Sequence, residues 1–371
     1  MSRLDEFAPV QPVVPEQTGN AQASGPDRRG LLKGAALGSA LSILAGSRSA
    51  LAASGGPFPA HPKWRFVFVN HVTTNPFFTP TQYGMQDAAA LLGCETQWTG
   101  SVTSDVGQMV SAMNSAIAAK ASAIAVSIID PHAFNDPVQQ ALAAGIPVFS
   151  YNADSPADSG NKRLAYIGQD LYLAGVEMGH RILSLVDSGP IALFIATPGA
   201  LNIQPRLDGA SDVIKKSGKA ITIDVVATGA TVNEEISKVK AYYLGHQHVK
   251  GMFAVDGGTT EGVAETMDQY GLAAKGVHGG GFDLLPRTLE LIKKGSMDFT
   301  IDQQPYLQGF YTVMEMFTFL ASGGLVGPAN VNTGLKFVTK ENVGPYLSTS
   351  TRYEGKSSQS EIVPLTVPIA G

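Results

Sequence analysis

This chain of 371 residues has a single cysteine and no excess of positive charge. Cys94 is the single cysteine, which excludes an intramolecular disulfide, a redox pair of cysteines and a zinc site built from several thiolates. The formal net charge is -5, which argues against a nucleic-acid partner, because such partners normally require a basic surface. Apolar residues make up 44% of the chain, which is ample for a large core.

The chain also lacks an apolar run long enough to span a membrane. Arg28 and Arg29 precede a run of small apolar residues at 34–46, and an Ala-Leu-Ala sequence ends at Ala52. A spanning helix needs roughly 20 apolar residues, so this pattern predicts a cleaved signal peptide instead. Paired arginines directly before the run are typical of the twin-arginine export signal. We predict that residues 1–52 are a disordered segment plus this signal, and that the mature protein is periplasmic and not membrane-spanning.

Short apolar runs alternate with stretches of helical spacing along the mature chain. The predicted strands are 65–69, 123–128, 147–151, 191–195, 221–226, 251–255 and 276–280. The predicted helices are 80–92, 106–118, 136–144, 171–186, 204–216, 234–244, 260–270 and 287–294. Continuous apolar strands alternating with helices indicate an α/β fold whose parallel sheets are covered on both faces.

The pattern occurs twice, which predicts two similar doubly wound parallel-sheet lobes joined by a multi-strand hinge. Chain crossovers are expected near Gln169, near Gln303 and within 330–336. The predicted division is an N-terminal lobe of residues 53–168 and 304–335, a C-terminal lobe of residues 169–303, and an extension of residues 336–371 that returns to the C-terminal lobe. Ligands of open α/β sheets bind outside the carboxyl ends of the strands, so the cleft between the lobes is the expected site.

Polar and aromatic residues collect where the predicted strands end. Stacking on a sugar face and hydrogen bonding to neighbouring hydroxyls suit such residues. Helix capping, turn chemistry, core packing and surface ion pairs explain the same residue types equally well when each is taken alone. The candidate ligand-binding residues are Asn75, Phe77, Phe78, Asn152, Arg206, Asp256, Asp283 and Gln303.

Taken together, these residues resemble the type I periplasmic sugar-binding proteins of ABC importers, the ribose receptor among them. The resemblance covers about residues 63 to 335 and rests on the order of several short motifs. These motifs are the Asn-Pro-Phe-Phe sequence ending at Phe78, the strand entry at 145–148, Arg206 in Arg-x-x-Gly, and the Gly-Phe-Asp sequence ending at Asp283, followed by Gln303. The resemblance implies that the eight candidate residues line a sugar-binding cleft that closes by hinge motion.

The sequence departs from the ribose receptor at two places in the implied cleft. Asn152 and Ala153 stand where that receptor has Asp-Arg, and Asp256 stands where it has an asparagine. The expected ligand is therefore a pentose, a small polyol or a related sugar rather than ribose itself. The resemblance implies partnership with an ABC permease and its ATPase, a monomeric protein, and neither cofactor nor metal.

Three alternatives remain open at the level of sequence. A receptor for a non-sugar small molecule would use the same fold. A secreted enzyme is disfavoured, because neither the nucleophile elbow of α/β hydrolases nor a dinucleotide fingerprint after the first strand is present. A sugar-responsive repressor would need an N-terminal helix-turn-helix, and the export signal occupies that place. His246 and His248 could serve a metal only with further ligands, and we interpret them as part of a solvated loop.

Overall fold

The computed structural model describes residues 60–324 and 327–347, so the predicted signal peptide and its cleavage site lie outside the described residues. The first group of elements is β1 (Arg65–Asn70), α1 (Thr79–Leu92), β2 (Glu95–Gly100), α2 (Val106–Ala118), β3 (Ala123–Val126), α3 (Asn135–Ala143), β4 (Val148–Tyr151) and β5 (Tyr166–Gly168). The second group is α4 (Leu171–Leu185), β6 (Gly189–Ile195), α5 (Gln204–Lys216), β7 (Ile221–Ala227), α6 (Val232–Gly245), β8 (Gly251–Ala254), α7 (Gly257–Tyr270), β9 (His278–Phe282), α8 (Pro286–Lys294) and β10 (Phe299–Asp302). The last group is α9 (Pro305–Ser322), β11 (Asn330–Asn332), β12 (Lys336–Thr339) and α10 (Gly344–Leu347).

The strands form two sheets of the same topology. The first sheet has the order β2-β1-β3-β4-β5-β11, and the second has the order β7-β6-β8-β9-β10-β12. Every pair of neighbours is parallel except β10 and β12, which are antiparallel. The predicted fold class, two similar α/β lobes with parallel sheets, is confirmed.

Each sheet is buried on both faces, which explains why its central strands are continuous apolar runs. Along β1, Phe66 and Phe68 pack into one hydrophobic cluster of the first lobe, and Val67 and Val69 pack into the other. Successive side chains of a strand point to opposite faces, so a strand covered by helices on both sides needs apolar residues at every position. The strands of the second lobe alternate between two clusters in the same way.

Several strands differ from the sequence-based prediction, among them the unpredicted β5, β11 and β12, and the differences at β2 and β9 have identifiable reasons. The strand β2 was not predicted, because it is a partly exposed edge strand with the polar sequence ETQWTG. The strand β9 begins at His278 rather than at Gly276. A short 3-10 helix, Ala273–Lys275, ends at Gly276, whose φ of 75° is left-handed and delays the start of the strand.

The chain passes between the lobes three times, after β5, after β10 and after β11. Hydrogen bonds join the three crossing segments to one another. Thr333 Oγ1 donates to the carbonyl of Gln303 at 2.9 Å, and Gln169 Nε2 donates to the carbonyl of Gly334 at 3.2 Å. The described start of the C-terminal extension supplies β12 to the second sheet. The hinge is therefore a hydrogen-bonded bundle of three segments.

The helices α1 and α9 approach closely through two glycines, and this contact generates a stability prediction. A Cβ at Gly309 would overlap the backbone oxygen of Thr81. We expect Gly309→Ala to lower the free energy of unfolding by about 1–3 kcal/mol, because neither helix backbone can yield without repacking. Gly245→Ala is the matched control, because a Cβ there meets open space. Urea unfolding of both variants checks the prediction, and equal stabilities would contradict it.

Candidate ligand-binding cleft

A cavity of about 70 Å³ lies between the lobes, where the carboxyl ends of the central strands meet. One water molecule needs roughly 10–15 Å³ by the same measure, so the space suits a ligand of only a few polar groups. All eight residues singled out from the sequence lie along its wall, namely Asn75, Phe77, Phe78, Asn152, Arg206, Asp256, Asp283 and Gln303. Their contact with a ligand stays a prediction.

The loop after β1 forms an aromatic wall. Asn75 Oδ1 accepts the backbone N–H of Phe77 at 3.0 Å and so caps the 3-10 helix Pro76–Phe78. The capped turn sets the rings of Phe77 and Phe78 edge to face, 4.7 Å apart. Phe78 is buried and packs near Trp98, whereas Phe77 is only partly buried. The side-chain oxygen of Asn75 therefore already serves the turn that positions the rings.

Arg206 is fully buried on α5 and is held from two sides. Its Nη1 donates to the carbonyl of Val255 at 3.0 Å, and its Nη2 donates to Gln169 Oε1 at 2.9 Å. The guanidinium lies over the ring of Phe282, 4.1 Å from the centroid. Its Nε is buried without a hydrogen-bond partner. The surface ion pair that the sequence left open for this arginine does not form.

Burial and nearby charge act in opposite directions on Arg206. Desolvation lowers the pKa of the guanidinium, and the carboxylates of Asp283 and Asp256 raise it. A guanidinium remains charged in proteins, so the cleft contains a fixed cation. An unpaired buried N–H donor is rare, because it loses its bond to water without replacement. Arg206 Nε is therefore a buried donor whose hydrogen no described group accepts.

Asp283 and Gln303 connect the second lobe to the hinge. Gln303 Nε2 donates to Asp283 Oδ1 at 2.6 Å. Asp283 has a φ of 78°, a left-handed conformation that is uncommon outside glycine and that turns its side chain out of the strand end. Burial raises the pKa of Asp283 to about 6, against the opposing effects of Arg206 and Gln303.

Asn152 belongs to the first lobe and also has a left-handed backbone, with a φ of 63°. Its Nδ2 donates to Gln308 Oε1 at 3.1 Å and approaches Gln303 Oε1 at 3.5 Å. Its Oδ1 is buried and accepts no hydrogen bond. A buried acceptor without a donor costs roughly 1–3 kcal/mol, so this oxygen favours a ligand hydroxyl that would donate to it.

Asp256 combines a helix-capping position with a place on the cavity wall. Its Oδ1 accepts the N–H of Thr259 at 3.0 Å, which caps α7, and its Oδ2 accepts the N–H of Ala196 at 3.0 Å. Burial raises the pKa of Asp256, and these hydrogen bonds oppose the rise. Each carboxylate oxygen has a second lone pair, so capping leaves Asp256 able to accept a ligand hydroxyl.

Five further polar residues of the wall were missed in the sequence, namely His71, Ser104, Thr197, Asn202 and Glu235. His71 directly follows β1, so the rule of polar residues at strand ends could have found it. Its Nδ1 donates to Ser127 Oγ at 2.9 Å, and its Nε2 accepts from Asn202 Nδ2 at 3.3 Å. Burial lowers the pKa of His71 to about 4, so the ring is neutral at neutral pH.

The lobes touch each other at the rim of the cavity. The bond between His71 and Asn202 crosses from the first lobe to the second. Beside it, the N–H of Leu201 donates to the carbonyl of Ile129 at 3.0 Å. On the other side of the cleft, Phe77 and Leu285 line a second small cavity. The two lobes therefore approach each other on both sides of the cavity.

The fold and the cleft define a class of protein. Residues 66–324 match the family model of a periplasmic binding protein domain. The chain belongs to this family, whose members bind solutes, so the cavity belongs to a binding protein and not to an enzyme. In the part of the chain that the structure describes, no helix has the length and apolarity to cross a membrane. No group of three or more metal-ligating side chains occurs in that part either, and His246 instead stacks on Tyr242.

The chain is also similar to individual sugar-binding proteins. The chain is 53% identical over 315 residues to the xylose/arabinose-binding protein XylF of Sulfolobus acidocaldarius, covering 82% of this chain and 77% of that protein. A solute-binding protein of a Burkholderia graminis ABC transporter, solved in complex with D-arabinose, is 26% identical with a TM-score of 0.71, covering 78% of this chain and 99% of that one. The arabinose-binding protein AraP of Geobacillus stearothermophilus is 28% identical with a TM-score of 0.62, covering 76% and 98%.

Asp283→Asn tests the energetic consequence of burying this carboxylate. The pKa of Asp283 is about 6 in the folded protein, against an ordinary value of 3.8. The folded state therefore binds a proton on this carboxyl more tightly than the unfolded state does. The free energy of unfolding consequently falls as the pH rises from about 4 to about 7. The variant lacks this titration. We expect the free energy of unfolding of the variant, relative to wild type, to rise by roughly 2 kcal/mol between about pH 4 and about pH 7.

Urea unfolding of the ligand-free protein at both pH values measures this difference. Asp158→Asn, at an exposed position of the first lobe, is the matched control and should show a constant difference from wild type. A difference for Asp283→Asn that does not change with pH would contradict the prediction.

Proposed function

We propose that this chain is the solute receptor of an ABC importer and that it binds a pentose or a closely related neutral sugar or polyol in the cleft. The observation that carries the proposal is a pair of buried atoms without partners on the wall of one cavity. Asn152 Oδ1 needs a donor and Arg206 Nε needs an acceptor. A sugar hydroxyl is both a donor and an acceptor, so vicinal hydroxyls would satisfy the two atoms together.

The charges of the cleft favour a neutral ligand. One guanidinium, that of Arg206, faces the carboxyl groups of Asp256 and Asp283. An anionic ligand would meet two acidic groups in a buried space, where like charges repel strongly. A cationic ligand would compete with Arg206 for the same carboxylates. Hydroxyls add polarity without net charge and so fit this balance.

The size and shape of the cavity favour a monosaccharide. The space is small, and the partly buried Phe77 gives it an apolar side against which the C–H face of a sugar ring can stack. The name of the Sulfolobus acidocaldarius relative supports a pentose, and so does the arabinose bound in the Burkholderia graminis structure. We therefore place D-xylose and arabinose first among the ligands to test.

Hinge closure is the mechanism that this function would use. A ligand that contacts Asn152 of the first lobe and Arg206 of the second stabilises the closed state through contacts absent from the open one. The closed monomer would then dock on a membrane permease, whose ATPase drives transport. Release would follow when the permease separates the lobes.

Export by the twin-arginine route is the remaining part of the proposal. Arg28, Arg29 and the apolar run 34–46 support it, and the Ala-Leu-Ala sequence ending at Ala52 supports cleavage there. The mature protein would then be periplasmic, which is where an importer's receptor meets its ligand.

Ligand binding is tested on residues 53–371 by calorimetry and thermal shift. We expect D-xylose or arabinose to raise the melting temperature, since a ligand that binds only the folded state stabilises it. Arg206→Ala and Asp283→Ala should each weaken binding at least about tenfold, because each removes a buried charged partner. Arg287→Ala, an exposed arginine on α8, is the matched control. A folded protein that responds to no pentose, hexose or polyol would refute the proposal and lead to tests of non-sugar ligands.

Export is tested by replacing both Arg28 and Arg29 with lysine in the full chain. We expect the precursor to accumulate inside a host that has the twin-arginine route, while the wild-type protein is exported. N-terminal sequencing of the exported form should begin at or near residue 53. Unchanged export of the lysine variant would show that another route is used.

A further inference from the structure

Glu235 is a buried carboxyl on the cavity wall to which no motif in the sequence drew attention. It lies in the first turn of α6 with 6% of its surface exposed. It faces the same cavity as Asp256 and the glycines that begin α7. Buried glutamates are rare unless they are paired. A hydrogen-bonding or charged partner is therefore expected for this carboxyl.

The start of α7 is shaped around this carboxyl. A Cβ at Gly258 would collide with Oε2 of Glu235. The absence of a side chain at Gly258 thus leaves room for the carboxyl beside the cavity. A residue larger than glycine at position 258 would displace it.

No described residue satisfies the carboxyl. The side chain of Glu235 makes no hydrogen bond and no ion pair within residues 60–324 and 327–347. The charged groups that act on it are Asp256 at the start of α7, Glu234 beside it on α6, and Glu261 further along α7. All three are acidic. Burial and these charges raise the pKa of Glu235 well above its usual range, so the carboxyl is protonated at neutral pH.

We propose that Glu235 is a ligand-contacting residue that donates a hydrogen bond from its protonated carboxyl to a hydroxyl oxygen of the bound sugar. The inference rests on the proposed function, since it names a further contact of the same site. Around the cavity, Asp256 and Asp283 act as acceptors and Arg206 as a charged donor. Glu235 adds an uncharged donor on the side formed by α6 and α7. It therefore selects for a ligand with a hydroxyl there.

The alternative is that Glu235 only supports the packing of α6 against α7. In that case its replacement would change stability and leave affinity untouched. Ionisation separates the two roles as well. An ionised Glu235 has no hydrogen to donate and adds a negative charge beside Asp256, so a ligand-contacting Glu235 makes binding weaker at alkaline pH.

The experiment measures the dissociation constant for D-xylose between about pH 6 and pH 10 in wild type, Glu235→Gln and Glu235→Leu. We expect wild-type affinity to fall toward alkaline pH. Glu235→Gln keeps a donor and cannot ionise, so it should bind within about threefold of wild type at pH 7 and lose the alkaline fall. Glu235→Leu should bind about tenfold more weakly at pH 7, because the donor is gone.

Two further variants make the result decisive. Asp158→Asn replaces an exposed carboxylate of the first lobe that does not act on Glu235, and it should bind like wild type at every pH. Gly258→Ala retains Glu235 but displaces its carboxyl, so it should weaken binding in a protein that still melts cooperatively. His71 and Asp283 titrate below neutral pH and do not contribute to the alkaline fall. Burial also raises the pKa of Asp256, but Asp256 is present in every variant, so a fall that Glu235→Gln loses belongs to Glu235.

The outcomes distinguish this inference from the proposed function. If wild type binds no pentose at any pH, the proposed function fails. If wild type binds but Glu235→Leu binds equally well, or Glu235→Gln retains the alkaline fall, the function stands and Glu235 is a packing residue.

Discussion

The arrangement of the cleft depends on the hydrogen bonds that the side-chain amide of Gln303 makes to both lobes. Its Nε2 donates to Asp283 in the second lobe, and its Oε1 accepts from Gln308 and approaches Asn152 in the first lobe. Gln303 itself lies where the chain crosses between the lobes. One buried side chain therefore fixes an acidic group of one lobe relative to an amide of the other, and both face the cavity.

This network explains why two residues of the wall keep an unfavourable backbone. Asn152 and Asp283 are both left-handed at φ, although glycine would adopt that conformation without strain. Glycine would supply no side chain to reach Gln303 or Gln308. The strain is tolerated because the side chains must point from the strand ends toward the hinge. Strained residues held by surrounding structure are concentrated at ligand-binding sites.

Much of the fold followed from sequence, because burial on both faces of a sheet imposes continuous apolar runs that are visible without a structure. The edge strand β2 was not predicted, because a partly exposed strand does not need an apolar residue at every position. Seven of the wall residues were found as polar or aromatic residues at or shortly after strand ends, and Arg206 was found through its Arg-x-x-Gly motif near the start of α5. Glu235 lies on a helix without such a motif, and its packing against Gly258 places it at the cavity. Bonds such as that between Asn152 and Gln303 join residues far apart in the chain and leave no local signal.

The departures from the ribose receptor pattern change which hydrogen-bond donors the cleft contains. Ala153 has only a methyl side chain and is fully buried, so this position of the first lobe contributes no hydrogen-bond donor from its side chain. Among the described residues of the wall, Arg206 is the one arginine. A sugar needs donors for its ring and hydroxyl oxygens as well as acceptors for its hydroxyl hydrogens. The described part of the wall contains one arginine, Arg206, and the two carboxyl groups of Asp256 and Asp283. A second positively charged donor would have to be buried as well, and a buried charge is costly unless it is paired with an opposite charge. A neutral, protonated carboxyl would add a donor without that requirement. Burial is the main cause of the raised pKa of Glu235, and Asp256, the acidic neighbour that adds most to it, also lines the cavity.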